Sequence, residues 1–201
     1  MNTIYTKQDL IDFEMEIKEC FSQKLIHAPV HLTDGNEDHL IDIFKDIQED
    51  DWVFCSWRSH FPALLKGVPR EQVKKDIIAG KSMALNYPEH KIVTSSIVGG
   101  IIPIATGVAF DIKQKNEDGH VWCLIGDMTA ETGCFHENYE YALHQKLPIT
   151  WVVEDNNRSV CTDTRKTWNR DMLSYEYKEG IRKYKYEATL PHVGIGTKVG
   201  F

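Results

Sequence analysis

Asp127 and Asn156 are the residues of this chain whose types and spacing most directly suggest chemistry. One apolar run, 121–125, ends in Gly126-Asp127, and a second, 149–153, ends in Glu154-Asp155-Asn156-Asn157. Twenty-nine residues separate Asp127 from Asn156, about the length of one strand–helix–strand crossover. Crossovers are right-handed in nearly all cases, so the two polar ends are predicted side by side at the carboxyl edge of a parallel sheet, where α/β proteins gather their ligands. A carboxylate, an amide oxygen and a backbone carbonyl just beyond them would offer hard oxygen ligands to Mg²⁺ and leave room for a diphosphate and a water. Backbone amides at the start of a helix after Asp127 would help neutralise that diphosphate. Singly, each residue has a plainer reading, Asp127 as a helix N-cap and Asn156-Asn157 as a turn. Their joint spacing is what favours a cation.

Elements able to position such a pair can be read along the chain. Thr6 can cap a helix with Leu10, Phe13, Ile17 and Phe21 at helical spacing, and Leu40, Ile41, Phe44 and Ile47 mark a second helix after the turn Asp34-Gly35-Asn36. Trp52-Val53-Phe54-Cys55 reads as a short buried strand, and Pro69-Arg70-Glu71 opens a further helix that ends near Gly80. The small-residue stretch 95–107 reads as a turn feeding a tightly packed helix that runs to about Lys115, and Asn116-Glu117-Asp118-Gly119 is a turn. Strands that are continuously apolar and alternate with helices predict an α/β fold, a three-layer parallel sheet with helices on both faces. A single domain is expected over 1–201, with N-terminal helices over about 1–50 and a polar C-terminal tail over about 163–201, anchored by Trp168, Met172, Tyr175, Tyr177, Tyr184 and Tyr186.

Composition sets outer bounds. The chain is 42% hydrophobic and 26% charged with a net charge of −7, an ordinary globular balance that argues mildly against a nucleic-acid partner. The charge is uneven: residues 1–50 hold four lysines against twelve acidic residues, whereas 164–201 hold eight basic against four acidic. Five cysteines without CxxC spacing suggest neither a disulfide framework nor zinc. No signal-peptide pattern opens the chain and no apolar run approaches membrane-spanning length, so a cytoplasmic setting without a membrane partner is expected.

The segment Gly126-Asp127-Met128-Thr129-Ala130-Glu131-Thr132-Gly133-Cys134-Phe135-His136-Glu137, followed by Leu147-Pro148 and Asn156-Asn157, resembles the thiamine-diphosphate motif, which begins Gly-Asp-Gly and ends Asn-Asn. Upstream, Ser56-Trp57-Arg58-Ser59-His60 with Gly67-Val68-Pro69 is similar to the Tyr-Arg-x-His and Gly-Val-Pro segments of 2-oxo-acid and acetoin dehydrogenase alpha subunits. Residues 96–107 are similar to the Gly-Ile-Val-Gly-x-x-x-Pro-x-Ala-x-Gly of the same subunits. Transketolases come next in likeness, through His136-Glu137 and Asp155-Asn156.

The resemblance implies the thiamine-diphosphate-binding fold, with thiamine diphosphate and Mg²⁺ as cofactors. By position it implies Asp127, Asn156 and the backbone oxygen of Arg158 as Mg²⁺ ligands, with Asn157 as the alternative to Asn156. It implies Arg58 on the diphosphate, with Ile97, Val98, Gly99, Gly126, Met128 and Thr129 also lining the cofactor. His60 would lie near the cofactor and Glu137 near the subunit interface, the two being the candidate catalytic residues.

It further implies a heterodimer or heterotetramer, with a pyrimidine-binding (beta-type) subunit supplying the glutamate that activates the ring. The substrate would be a 2-oxo acid or, in the transketolase alternative, a ketose from which a two-carbon ketol group is transferred. Two features depart from the pattern: Met128 stands where glycine is usual, and the Gly-Gly-Ser-Met-His loop is reduced to Gly80-Lys81-Ser82-Met83-Ala84-Leu85. A noncatalytic, degenerate subunit is the second alternative. A nucleotide-binding domain of another kind is disfavoured, since neither GxGxxG nor GxxxxGK[ST] occurs.

Overall fold

The computed structural model describes residues 5–196. Its centre is a five-stranded, all-parallel sheet in the order β2-β1-β3-β4-β7, built from β1 (Trp52–Cys55), β2 (Ile92–Thr94), β3 (Val121–Gly126), β4 (Ile149–Asp155) and β7 (Ile181–Lys185). A two-stranded antiparallel hairpin, β5 (Arg158–Ser159) with β6 (Thr162–Asp163), projects beyond β4.

Strands β1, β3 and β4 read as largely apolar runs because both faces are covered, and their side chains divide by parity. Val53 and Cys55 of β1, Trp122 and Leu124 of β3 and Val152 of β4 join one core with α1 (Lys7–Ser22), α2 (Glu37–Phe44), α3 (His60–Leu65) and α4 (Arg70–Asp76). Phe54, Val121, Cys123, Ile125, Trp151 and Val153 join the other, under α5 (Ile101–Lys115) and α7 (Gly133–His144). The expected three-layer α/β fold is therefore the one observed.

Local signals account for the flanking helices. Thr6 and Asp9 form a capping box, in which the Asp9 amide donates to Thr6 Oγ1 at 3.2 Å and the Thr6 amide donates to the Asp9 carboxylate at 2.7 Å. The segment between β3 and β4, expected to be helical, is broken: a single turn, α6 (Asp127–Ala130), precedes α7, whose N-cap Thr132 accepts from the Phe135 amide. After β1 the chain moves outward to β2, then returns across β1 to β3, which makes a topological switch point between β1 and β3.

The C-terminal region is not simply a polar tail. Its 181–185 segment is the parallel edge strand β7, registered on β4 with Glu154 opposite Tyr184. Charged residues at an edge strand are expected, because lysine there discourages pairing with another chain; the same charges hide the strand from an apolar-run reading. Beyond β7, Asp34 accepts from the amides of Thr189 and Leu190 and from the Thr189 hydroxyl, tying residues 186–190 to the turn after Thr33. Gly35 makes that turn at φ +82°, where a Cβ would lie 2.1 Å from the Glu187 carbonyl oxygen. Gly35→Ala is expected to lower stability by about 2–4 kcal/mol, since it adds a clash to a left-handed backbone position. An unchanged urea midpoint would contradict the close approach.

Candidate active site

The carboxyl ends of the strands converge on one cleft of about 520 Å³. Ser56, Trp57 and Arg58 enter it from the end of β1, Gly126, Asp127, Met128 and Thr129 from β3, Glu154, Asn156, Arg158 and Ser159 from β4, and Tyr186 from beyond β7, with Asn36 closing one side. This is the sheet edge that contains the switch point, the usual place for ligands in such folds.

Asp127 is the pivotal group. It is 1% exposed, and neither carboxylate oxygen makes a hydrogen bond. A buried carboxylate without partners is costly. Burial pushes its pKa up to about 6, the Thr164 hydroxyl and the Arg165 charge pull it down, and the negative charge of Asp155 adds to the rise. Thr164 Oγ1, however, is itself without a hydrogen-bond partner, so it relieves Asp127 by proximity and not by a formed bond.

Asn156 faces the same cleft. Its Oδ1 accepts from the Arg158 amide at 3.0 Å and its Nδ2 donates to the Tyr186 hydroxyl at 3.3 Å. A carbonyl oxygen carries two lone pairs, so one remains for a cation. Asn157 is placed differently. At φ +56° it turns its amide away to Asp163 and Arg165, and it does not line the cleft. Arg158, expected to contribute its backbone oxygen, lines the cleft at the start of the hairpin.

Arg58 donates to two backbone carbonyls, those of Leu32 and His192, and no carboxylate pairs with it among the described residues. Its charge therefore remains available to an anion in the cleft. Met128 also lines the cleft, and its sulfur accepts from Trp168 Nε1 at 3.2 Å, so a packed thioether stands where a glycine would leave space. Thr129 is buried at the cleft wall.

Other expected residues are not brought there. His60 is fully buried between Glu14 and Ser82, with both ring nitrogens in hydrogen bonds of 2.9 Å, so it braces the N-terminal helices and does not reach the cleft. Glu137 is exposed on α7, also away from the cleft. Ile97 and Val98, 70% and 53% exposed, and Gly99 at φ +74° form the turn between β2 and α5 and do not line the cleft in the chain alone.

Sequence reasoning missed Glu154, Asn36, Trp57 and Tyr186 as cleft residues. Glu154 accepts from Tyr184, through its hydroxyl, and from Asn36 Nδ2 at 3.2 Å. Burial pushes the Glu154 carboxyl up to about 7, against the pull of those two hydrogen bonds and of Arg58. Strand parity could have flagged it, since Glu154 shares a face with Val152, which lies in the first core. Asn36 and Tyr186 come from remote parts of the chain and carry no local signal.

Behind the cleft, Asp155 fixes the loop that carries Asn156. Burial alone would raise its pKa, but the two-pronged contact with Arg165 (2.7 and 3.1 Å), the Tyr175 hydroxyl at 2.5 Å and the Asn157 amide at 2.8 Å hold it below the usual carboxylate range. Arg165 also reaches Glu176 at 3.0 Å.

A parallel α/β sheet, a cleft at its switch point and a partnerless buried carboxylate at the end of the strand next to the one that carries Asn156 define an α/β domain with a candidate binding cleft at its sheet edge. The model of the family described as "Dehydrogenase E1 component" matches residues 5–178, and the chain belongs to that family. Among curated relatives, the pyruvate dehydrogenase E1 component subunit alpha of Porphyra purpurea is 31% identical over 166 residues, covering 74% of this chain and 48% of the relative. The chloroplastic subunit alpha-3 of Arabidopsis thaliana is 33% identical over 143 residues, 63% of this chain and 33% of the relative. The somatic mitochondrial subunit alpha of Homo sapiens is 24% identical over 184 residues, 83% and 47% respectively. The chain thus spans half or less of the length of these relatives. A solved structure described as that of a thiamin diphosphate-dependent enzyme isolated from Mycobacterium smegmatis aligns at a TM-score of 0.43 and 20% identity, covering 61% of this chain and 20% of that one, and adds no weight. No helix among the described residues is long and apolar enough to cross a membrane.

Proposed function

We propose that this chain is the diphosphate-holding, alpha-type part of a thiamine-diphosphate enzyme that acts on a 2-oxo acid. The observation that carries the reading is Asp127, a buried carboxylate left without a partner beside Asn156 at the end of the neighbouring strand. Mg²⁺ suits that pair, because it accepts one or two protein oxygens and takes phosphate oxygens for the rest. Asp127 Oδ1 or Oδ2, Asn156 Oδ1 and the Arg158 carbonyl would hold the cation, and Arg58 would give up backbone carbonyls for a diphosphate, with which it can form stronger, charge-assisted bonds. Thiamine diphosphate supplies the electron sink needed to break a bond next to a carbonyl. This chain's own residues bind and orient it; no described residue in the cleft is assigned a proton transfer.

A pyrimidine-binding beta-type subunit is the proposed partner, giving a heterodimer or heterotetramer, and Glu137, exposed on α7, is proposed to face it. The five cysteines are all free, which suits the reducing, cytoplasmic setting we assign. The dehydrogenase reading stands ahead of the transketolase reading, because the curated relatives are dehydrogenase subunits and His136-Glu137 lies outside the cleft. Met128 in the cleft favours a second reading, a subunit that has lost turnover.

Titration calorimetry with thiamine diphosphate and Mg²⁺, on the chain alone and with a co-expressed beta-type subunit, tests the proposal. Magnesium-dependent binding is expected at least in the complex. Its absence in both samples would overturn the reading, and binding without turnover would select the degenerate subunit.

A further inference from the structure

The edge strand carries two tyrosines whose spacing matches the cleft's polar residues. Tyr184 and Tyr186 stand two residues apart and so point to one face, their rings 5.7 Å apart. Glu154 and Asn156 have the same spacing at the end of β4, and Glu154 is registered opposite Tyr184. The Tyr186 amide donates to the Asp155 carbonyl at 2.9 Å, which extends the pairing one step past the strand. Each hydroxyl thereby meets a polar residue of β4 or the loop after it: Tyr184 donates to Glu154 and also accepts from Asn36 Nδ2 at 3.3 Å, and Tyr186 accepts from Asn156 Nδ2 at 3.3 Å.

We propose that Tyr186 is a positioning residue for the cation site, fixing the Asn156 amide so that its oxygen is the atom presented beside Asp127. An asparagine side chain can turn end for end, and only its oxygen can ligate a cation. The Arg158 amide holds the oxygen from one side and Tyr186 holds the nitrogen from the other. Tyr186 itself lines the cleft, so it sits where a change in Asn156 would be felt. Tyr184 steadies the ladder through a stacked contact with His39, ring centroids 4.5 Å apart. Groups that orient ligands in this way typically control affinity tenfold or more when removed.

This inference rests on the proposed cation site. Mn²⁺ in place of Mg²⁺ allows free and bound cation to be counted by electron paramagnetic resonance, with thiamine diphosphate present and the beta-type subunit co-expressed. Tyr186→Phe keeps the ring and is expected to weaken Mn²⁺ binding roughly tenfold while leaving the melting temperature of the cation-free protein within a few degrees. In the wild-type complex the cation should also perturb tyrosine ultraviolet absorption, and the variant should lack that component. Equal Mn²⁺ affinity in the two proteins, or an unchanged tyrosine signal in the variant, would overturn the inference while leaving the cation site standing. Mn²⁺ binding by neither would remove the site and the inference together.

Discussion

Asp127→Asn is expected to make the cation-free chain more stable while removing its ability to bind Mg²⁺ with a diphosphate. The carboxyl's pKa in the folded chain is about 6, against an ordinary value of 3.8. Below pH 4 the group is protonated both folded and unfolded, and it costs nothing. As the pH rises through 6 the folded chain must either keep a proton the unfolded chain has released or bury a bare charge, so stability falls. The gap corresponds to about 3 kcal/mol at most above pH 7. The asparagine variant escapes that cost. Urea denaturation in the presence of a chelator should show its advantage growing between pH 4 and pH 7, to about 2–3 kcal/mol. A variant less stable than wild type at pH 7, or one that still binds Mg²⁺ with thiamine diphosphate, would contradict the role given to Asp127. An N-cap role is already set aside by the structure, in which Gly126 occupies the cap position of α6 and neither Asp127 oxygen bonds a backbone amide.

Arg165→Met carries the largest expected loss of stability. Asp155 is 2% exposed, and Arg165 is its only cationic partner among the described residues. Without the guanidinium, Asp155 keeps only the Tyr175 hydroxyl and the Asn157 amide, and Glu176 loses one of its two cations. Breaking one side of a buried ion pair typically costs about 3–5 kcal/mol. The loop 156–163 hangs from this cluster, so cofactor affinity should fall with stability. Asp155→Asn in the same background should recover part of the loss, since it removes the stranded charge. If Arg165→Met alone were as stable as wild type, Asp155 could not be the anchor described.

The central crossover and the N-terminal helices were legible in the sequence for a clear reason. Strands buried on both faces are apolar at nearly every position, as 121–125 are throughout and 149–153 are but for Thr150, and a capping box at Thr6 marks a helix start by local chemistry alone. The cleft was half legible. Asp127 and Asn156 could be paired because crossover length converts sequence distance into proximity. The family resemblance implies His60 near the cofactor, yet His60 opens α3 with its ring turned into the core, between Glu14 and Ser82. Strand β7 was invisible because Arg182, Lys183 and Lys185 obey the rules of an exposed edge and carry no apolar run. Asn36, 118 residues from Glu154, could be placed only by the tertiary fold.

The edge position of β7 also sets an order of assembly during synthesis. The strands β1 to β4 and both helical layers leave the ribosome before residues 181–192. The cleft cannot be finished at that stage: Tyr186, the Leu190 region clamped by Asp34, and the His192 carbonyl that holds Arg58 all arrive afterwards. A nascent chain can therefore complete its binding cleft only at the end, and one halted near residue 180 would lack β7, the Tyr186 contact to Asn156 and the His192 contact to Arg58.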